Sequence, residues 1–345
     1  MKLSFPSKLI VWAVLLVAWF AQSLAVGNVL NADGVSYLDI AYSCVAGNWH
    51  ALVNAYWSPG FPFLLALCIK LFHVTPYYEP LAIHLFAVAS LIVALISFEY
   101  FLAVLLKIRN SDAIPRDTSQ TPLSDRTIQL LGYTLFFWVT TFLTPPYLEQ
   151  PDILVLIIFL LASALCMQLT LSSSAQPVWR YALFGLVLGL SYLIKAVMFP
   201  LSFAFIAALF FTKDRFRRLP AILLAAAVFI AVSAPFIHVL SKSKGHFTYG
   251  DAGAVNYLHI MGDDADITAG PQPFSLAHPQ PAAAPHISEF LNKIDLGTYG
   301  PWTDPSSDYK GICPHFHLAR QINRIHVVLS YYFELYIEQL GVLFA

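Results

Sequence analysis

Long blocks of apolar residues alternate with short polar stretches along this chain. The first block covers residues 9–30, and six more follow, each bounded by proline, charged or polar residues. Because the apolar residues fill these blocks and do not recur at amphipathic spacing, they predict helices that lie in a lipid bilayer. The later blocks cover residues 59–72, 81–106, 128–143, 153–171, 181–211 and 219–240. We therefore expect an all-α integral membrane protein, a polytopic bundle of transmembrane helices.

The composition supports this class of protein. Of the 345 residues, 58% are hydrophobic and 11% charged, with a mean hydropathy of +0.66. The formal net charge of -1 gives no basic surface for nucleic acid, so we expect membrane lipids but no nucleic acid as partners. The four cysteines contain no pair with metal-site spacing, and we predict neither a metal ligand set nor a cofactor site. Metal dependence stays open.

The placement of charge predicts the direction of the helices. Lysines precede the first apolar block, which places the N-terminus in the cytoplasm and the residues after the block on the outer face. Two other stretches, 107–126 and 213–218, are rich in lysine and arginine and are expected in the cytoplasm. Block 181–211 must then cross the membrane out and back, with its turn near residues 195–200.

Two points of this topology have alternatives. An odd number of crossings is needed between outer residue 33 and cytoplasmic residue 107, yet two apolar blocks lie there. Block 59–72 is shorter than the roughly 20 residues that a hydrocarbon core needs, so we expect that it does not cross; otherwise stretch 107–126 lies outside. The small-residue pattern at residues 23–25 leaves a cleaved signal peptide as the alternative to an uncleaved anchor.

Ionisable residues at the outer ends of the blocks are the candidates for chemistry. Asp33 follows the first block, while Glu149 and Asp152 lie in one later loop. Lys195 interrupts an apolar run, where a cation costs roughly 2.5–3.5 kcal/mol on insertion scales unless it reaches the interface or an anion. All four residues are expected on the outer face, where they form a candidate active site. Taken singly, each is equally explained as a marker of a helix boundary.

Four short motifs occur in order along the first 240 residues. They are the acidic loop at Asp33, the sequence WSPGFP at residues 57–62, the loop 149–152, and GLVLGLSYLIK at residues 185–195. Together they resemble the GT-C glycosyltransferases, in particular bacterial members of the protein-mannosyltransferase and lipid A aminoarabinose-transferase group. The resemblance implies a helical membrane bundle in the bacterial inner membrane. It also implies transfer of a sugar, with inversion, from a polyprenyl-phosphate donor to a lipid, glycan or protein acceptor at the outer face.

The same resemblance implies roles for individual residues. Asp33 corresponds to the catalytic carboxylate of the first outer loop, which accepts the proton of the attacking hydroxyl. Lys195 is expected to stabilise the departing lipid phosphate. The predicted substrate-binding residues are Lys195, Asp152, Glu149, Tyr37 and Trp57. For the two carboxylates of this set, helix capping is the alternative role.

The chain departs from the family pattern in two places. Gly34 follows Asp33, whereas many relatives carry an acidic pair there. Trp57 and Ser58 stand where the aminoarabinose-transferase type has charged residues. The donor sugar and the acceptor therefore do not transfer from either subgroup. A transporter or flippase of a lipid-linked substrate and a non-catalytic, truncated relative of the family are the alternative functions.

A change of composition after residue 240 divides the chain. Residues 1–240 form the predicted bundle, and residues 241–323 an extracytoplasmic segment rich in glycine, proline and aromatic residues. Residues 324–345 are expected to form an interfacial helix or the start of a further span. The prolines between residues 271 and 285 predict an irregular section. Segment 241–323 is expected to cover the active-site cavity, to bind the acceptor, or to pack on the bundle as an irregular loop.

Overall fold

Helices make up most of the structure. The computed structural model describes residues 4–26, 32–75, 78–111, 123–146, 150–171, 176–211, 215–261, 280–283, 287–289, 316, 318–335 and 337. The helices are α1 (Phe5–Val26), α2 (Ala32–Val45), α3 (Gly60–Phe72), α4 (Glu79–Arg109), α5 (Asp125–Trp138), α6 (Asp152–Leu171), α7 (Val178–Ile194), α8 (Met198–Ala208), α9 (Arg215–Lys244), α10 (Ala252–Met261) and α11 (Leu318–Leu335). Short 3-10 turns cover Trp49–Leu52 and Leu209–Phe211, and a π-helical turn, Val139–Leu143, continues α5. The strands β1 (Gln280–Ala283) and β2 (Ile287–Glu289) pair antiparallel.

Among the described residues, four helices are long and apolar enough to cross a membrane. They are α1, α4, α6 and the part of α9 from Phe216 to Lys244. Large apolar side chains on these helices are exposed, for example Val17 at 69% and Ile96 at 64%, where a water-soluble bundle carries polar residues. The four helices therefore indicate a membrane protein. The helices α3 and α7 and the stretch Met198–Phe211 are apolar but shorter.

Side-chain contacts show which helix ends lie together. At one end, Lys195 directly after α7 pairs with Asp152 at the start of α6, with 2.6 Å between Nζ and Oδ1. At the other end, Arg218 near the start of α9 donates to the carbonyl oxygen of Leu169 near the end of α6 at 2.8 Å. Both α7 and α9 thus run antiparallel to α6. We call these two ends the cavity end and the basic end.

The earlier helices follow the same arrangement. Helix α4 begins at the cavity end, where Ile83 lies near Ile153 of α6, and it runs parallel to α6. Its last residue, Arg109, donates to Asp125 at the start of α5 at 2.9 Å. Arg109 and Arg218 belong to the two basic stretches of the sequence, and both lie at the basic end. The topology predicted from the sequence places both basic stretches in the cytoplasm, and it therefore requires these two arginines to lie at the same end of the bundle.

A close contact between α7 and α9 depends on Gly185 and Gly189. A Cβ atom at Gly185 would collide with the carbonyl oxygen of Ala225, and one at Gly189 would lie 2.5 Å from Cβ of Val232. Small residues at this four-residue spacing let helix backbones approach closely in a membrane, where apolar burial supplies little force between helices. The backbones of α7 and α9 are therefore held together as one unit.

Polar contacts as well as packing fix α1 to the bundle. Glu99 of α4 accepts hydrogen bonds from Lys8 Nζ at 2.5 Å, from Trp12 Nε1 at 3.1 Å and from the hydroxyl of Tyr133. Further along α1, the side chain of Trp19 is fully buried. Helix α1 thus contributes both to an ion pair and to the core of the bundle, while the choice between a signal peptide and an anchor stays a prediction.

Block 181–211 divides at Lys195 into α7 and α8, as the sequence predicts. Helix α3 has 13 residues, fewer than the roughly 20 that a hydrocarbon core needs, and α7 and α8 are also shorter than this, so which of these helices cross the membrane stays a prediction. The first outer loop differs from the prediction, because residues 32–45 form helix α2. Tyr37 and Ala41 on one face of α2 pack in the same apolar cluster as residues of α3, and this packing stabilises α2. The polar sequence around Asp33 does not by itself predict a helix.

The segment after α9 is more regular than its composition predicts. Helix α9 continues to Lys244, α10 follows as a further helix, and the β1–β2 hairpin falls in the proline-rich section. Val255 of α10 is only 2% exposed, so apolar burial stabilises this short helix. Helix α11 covers part of the predicted terminal region, of which residues 336 and 338–345 lie outside the described residues.

Replacing Glu99 by glutamine is expected to destabilise the protein by about 2–3 kcal/mol, because it leaves the ammonium of Lys8 mostly buried and without its anion. The measurement is the free energy of unfolding in mixed detergent micelles. The double variant Lys8→Met with Glu99→Gln contains no orphaned charge and should recover part of the loss. Equal stability of Glu99→Gln and the wild type would show that the ion pair contributes nothing.

Candidate active site

A cavity of about 550 Å³ lies at the cavity end of the bundle. Its walls come from five separate parts of the chain. They are the first turns of α2, the loop before α3, the start of α6, the α7–α8 turn, and the segment from Tyr249 to Asn256. Charged, hydroxyl, amide and aromatic groups all line it, which is the mixture that small-ligand sites use for orientation and burial.

Asp33 lies in the first turn of α2 and lines the cavity. Burial raises the pKa of Asp33 above its ordinary value, the ammonium of Lys195 partly lowers this pKa, and the carboxylate of Asp152 raises it. The three groups therefore form one electrostatic unit, although they come from distant parts of the sequence. A carboxylate with a raised pKa holds a proton more readily, which suits a general base.

The ion pair of Lys195 and Asp152 is partly open to the cavity. Its N–O distance is 2.6 Å, and 40% of the Lys195 side chain and 34% of the Asp152 side chain are exposed. An ammonium group carries three N–H donors, of which this contact uses one. The pair can thus hold an anionic ligand at the lysine while the aspartate keeps the lysine in place.

The turn between α7 and α8 fixes the position of Lys195. Helix α7 ends at Ile194, and Lys195 has an extended backbone with φ −153° and ψ 126°. Its carbonyl oxygen accepts from the N–H of Met198 at 2.9 Å, which starts α8. The N–H of Ala196 donates to the hydroxyl of Ser58 in the loop before α3 at 3.0 Å. The turn is therefore held both by its own helices and by a distant loop.

Aromatic side chains form the wall beside Asp33. The side-chain oxygen of Asn54 accepts the backbone N–H groups of Tyr56 and Trp57, each at 2.9 Å. This Asx-type turn directs the two rings into the cavity wall. The Trp57 ring packs edge-on against Tyr37 and Tyr56, with ring centroids 4.9 Å and 4.6 Å apart. The wall therefore offers apolar ring faces beside tyrosine hydroxyl groups, a combination that suits an amphipathic ligand.

The segment that follows α9 forms a further wall and is tied to the loop before α3. The N–H of Asp251 donates to the carbonyl oxygen of Ala55 at 2.7 Å, and the hydroxyl of Tyr56 donates to the side-chain oxygen of Asn256 at 3.1 Å. At Gly250 the backbone has φ 142°, and a Cβ atom there would lie 2.8 Å from Cβ of Ala196. Only glycine brings the chain this close to the α7–α8 turn.

Five of the six predicted site residues line this one cavity: Asp33, Lys195, Asp152, Tyr37 and Trp57. Glu149, the sixth, lies outside the described residues. The structure thus brings together residues that the sequence separates by more than a hundred positions. Their chemical roles stay predictions.

Most other residues of the cavity were not predicted, and three of them, Tyr56, Gly250 and Asn256, shape its wall. For Gly250 the sequence did contain a signal. The segment 241–323 is rich in glycine, and a segment that covers a cavity needs glycine where its backbone approaches another part of the chain closely. For Tyr56 and Asn256 the chain carries no such signal, because a contact between residues 200 positions apart leaves no local pattern.

Neither protein-family models, nor curated proteins, nor solved structures match this chain. The resemblance to GT-C glycosyltransferases therefore rests on the sequence motifs alone. A function is inferred below from the cavity and its side chains.

A second carboxylate on α2, Asp39, has a very different environment. Its residue is 5% exposed, and Oδ2 has no hydrogen-bond partner within the described part of the chain. Burial, and after it the carboxylate of Glu79, raises the pKa of Asp39 to about 7. Asp39 does not line the cavity described above. One short helix therefore carries two aspartates, of which one faces the cavity and the other is buried away from it.

Replacing Gly250 by alanine is expected to destabilise the protein by about 1–3 kcal/mol, because the new Cβ combines backbone strain with a collision at Ala196. Gly253→Ala is the matched control, since a Cβ there meets no atom within 4 Å and alanine favours a helix by about 0.5–1 kcal/mol. Thermal unfolding and the rate of proteolysis between residues 245 and 257 measure the difference. Equal behaviour of the two variants would contradict the close approach.

Asp39 predicts a pH dependence of stability. Its pKa in the folded protein is about 7, above the ordinary value of 3.8, so between about pH 4 and pH 7 the folded state binds more protons than the unfolded state. Stability should fall as the pH rises through this window. Asp39→Asn should make the decline shallower, whereas Asp125→Asn at the basic end should keep it. An unchanged slope in Asp39→Asn would exclude this assignment.

Proposed function

We propose that this protein is a membrane glycosyltransferase. In this proposal it moves a sugar from a polyprenyl-phosphate donor to an acceptor hydroxyl group at the outer face of a bacterial inner membrane. One observation carries the proposal: Asp33 and the ion pair of Lys195 and Asp152 line one cavity at the end of an apolar helix bundle. Transfer from a lipid phosphate needs a proton acceptor, a cation for the leaving group, and access from the depth of the lipid head groups.

In the proposed reaction Asp33 is the general base. The acceptor oxygen attacks the anomeric carbon and passes its proton to the Asp33 carboxylate. A new bond forms between the acceptor oxygen and the anomeric carbon on the face opposite the phosphate. The bond between that carbon and the phosphate oxygen breaks, and its electron pair leaves with the lipid phosphate. Attack from the opposite face inverts the anomeric centre.

Lys195 stabilises the leaving group in this scheme. Negative charge grows on the phosphate oxygen as the bond breaks, and a fixed cation lowers the energy of that transition state. The fixed position matters, because a lysine that had to reorganise during the reaction would lose part of this stabilisation. Asp152 and the hydrogen bond from Ala196 to Ser58 supply the support. Asp152 in turn offers its second carboxylate oxygen to a sugar hydroxyl.

The size and lining of the cavity agree with a small glycosyl phosphate. Its volume of about 550 Å³ lies within the roughly 300–1,000 Å³ of typical ligand sites. In the proposed complex the sugar and the phosphate occupy the cavity beside Trp57 and Tyr56. The polyprenyl chain remains outside, along the apolar surface that the bundle presents to lipid.

In this proposal the basic end lies in the cytoplasm. It carries Arg109 and Arg218, and basic residues beside spans favour the cytoplasm. The cavity end then faces outward, which is the side that the resemblance to GT-C glycosyltransferases implies for the reaction.

Asp33→Asn is expected to lower sugar transfer by about 10²–10⁴-fold, because the amide accepts no proton. The assay follows radiolabelled sugar from native polyprenyl-phosphate donors into product in purified membranes. Activity should rise with pH as Asp33 loses its proton. In Lys195→Met the residual activity should rise at a higher pH than in the wild type, since the cation that lowers the pKa of Asp33 is absent.

Asp39→Asn is the matched control for this assay. It makes the same chemical change on the same helix, outside the cavity, and should retain wild-type transfer. Full activity of Asp33→Asn would reject the base. Movement of the labelled lipid across the membrane without a new glycosidic bond would favour a flippase instead.

A further inference from the structure

Helix α11 has two distinct faces. Counting 3.6 residues per turn, one stripe along it consists of apolar side chains only: Leu318, Ile322, Ile325, Leu329 and Tyr332. The opposite face carries the polar residues Arg320, Asn323, Arg324 and Glu334 together with Val327 and Tyr331. The side chains of the apolar stripe are between 54% and 63% exposed. In water such a stripe would be unfavourable, so it requires an apolar surface to cover it.

The position of α11 in the fold identifies that surface. Gln321, at the edge of the stripe, donates a hydrogen bond to the hydroxyl of Tyr257 in α10. Helix α10 begins at the cavity wall, where Asn256 accepts a hydrogen bond from Tyr56. This contact holds the start of α11 at the cavity end of the bundle. The ends of membrane-spanning helices lie at the depth of lipid head groups.

The residue types of α11 match that depth. Arginines on the polar face and tyrosines near its end, Tyr331 and Tyr332, are the residues enriched in helices that lie flat in the lipid–water interface. With Arg320, Arg324 and Glu334 among its side chains, α11 is too polar to cross a hydrocarbon core. Unlike α1, α4, α6 and α9, it is not among the helices apolar enough to span a membrane.

We infer that α11 is a membrane-surface anchor whose apolar stripe inserts into the outer interface of the bilayer. Through Gln321 and Tyr257 the anchor holds α10, and with it the wall of the cavity that carries Asn256, at the level of the head groups. The surface that covers the apolar stripe is the lipid bilayer itself. This inference depends on the membrane assignment and not on the proposed transferase reaction.

The test is spin labelling of the full chain in lipid nanodiscs, with the four native cysteines replaced by alanine. Single cysteines are introduced as Ile325→Cys on the apolar stripe and Asn323→Cys on the polar face. Both positions are exposed, so the labels should not disturb folding. Val17→Cys on α1 is the reference for a lipid-facing position. Collision with oxygen, which concentrates in lipid, is compared with collision with a water-soluble nickel chelate.

If lipid covers the stripe, the ratio of collisions with oxygen to collisions with the nickel chelate should be several-fold higher at position 325 than at position 323. At position 325 this ratio should approach that at position 17. Equal ratios at 325 and 323 would overturn the anchor. Protection of position 325 from both reagents would overturn it as well and would show that a protein surface covers the stripe. A water-like ratio at position 17 would reject the membrane assignment on which the anchor depends. None of these results depends on sugar transfer.

Discussion

The ion pair of Lys195 and Asp152 determines how the cavity end of the bundle is built. A cation within an apolar run costs roughly 2.5–3.5 kcal/mol on insertion scales unless an anion or the interface receives it, so α7 ends where Lys195 reaches both. The same break directs the chain back as α8 and exposes the N–H of Ala196, to which the loop before α3 binds through Ser58. Three parts of the sequence therefore meet around one charged contact, and α2 and the segment from Tyr249 to Asn256 complete the walls of the cavity.

Sequence patterns predict the features that belong to single helices. The division at Lys195, the short α3 and the placement of charged residues at span ends are visible locally, because lipid leaves few ways to accommodate a proline or a charge. Features that depend on pairs of distant residues are not visible. Glu99 gives no sign that Lys8 is its partner 91 positions away, and Tyr56 gives none for Asn256. Helix α2 was missed for a related reason, since its stability comes from packing against α3 and not from its own composition.

The two aspartates of α2 show how far environment, and not residue type, decides chemistry. Asp33 faces a cavity and a lysine, so its proton can be exchanged with a ligand. Asp39 is buried near a second carboxylate and outside the cavity described above, and its pKa of about 7 reflects the cost of ionising a buried group. A sequence motif that marks acidic residues in this region cannot distinguish them, because the difference lies in which face of the helix each one occupies.

The close contact between α7 and α9 has a consequence for the entry of any ligand. Gly185 and Gly189 bring the two backbones into contact, so α7, which ends at Lys195, is packed directly against α9, which leads to the wall from Tyr249 to Asn256. Hydrogen bonds from Ala196, Asp251 and Tyr56 tie the loop before α3 to the α7–α8 turn and to the segment from Tyr249 to Asn256. Each such bond contributes about 0.5–1.5 kcal/mol. Widening the cavity between these elements therefore requires three hydrogen bonds to break, a cost that adds to that of disturbing the charged residues.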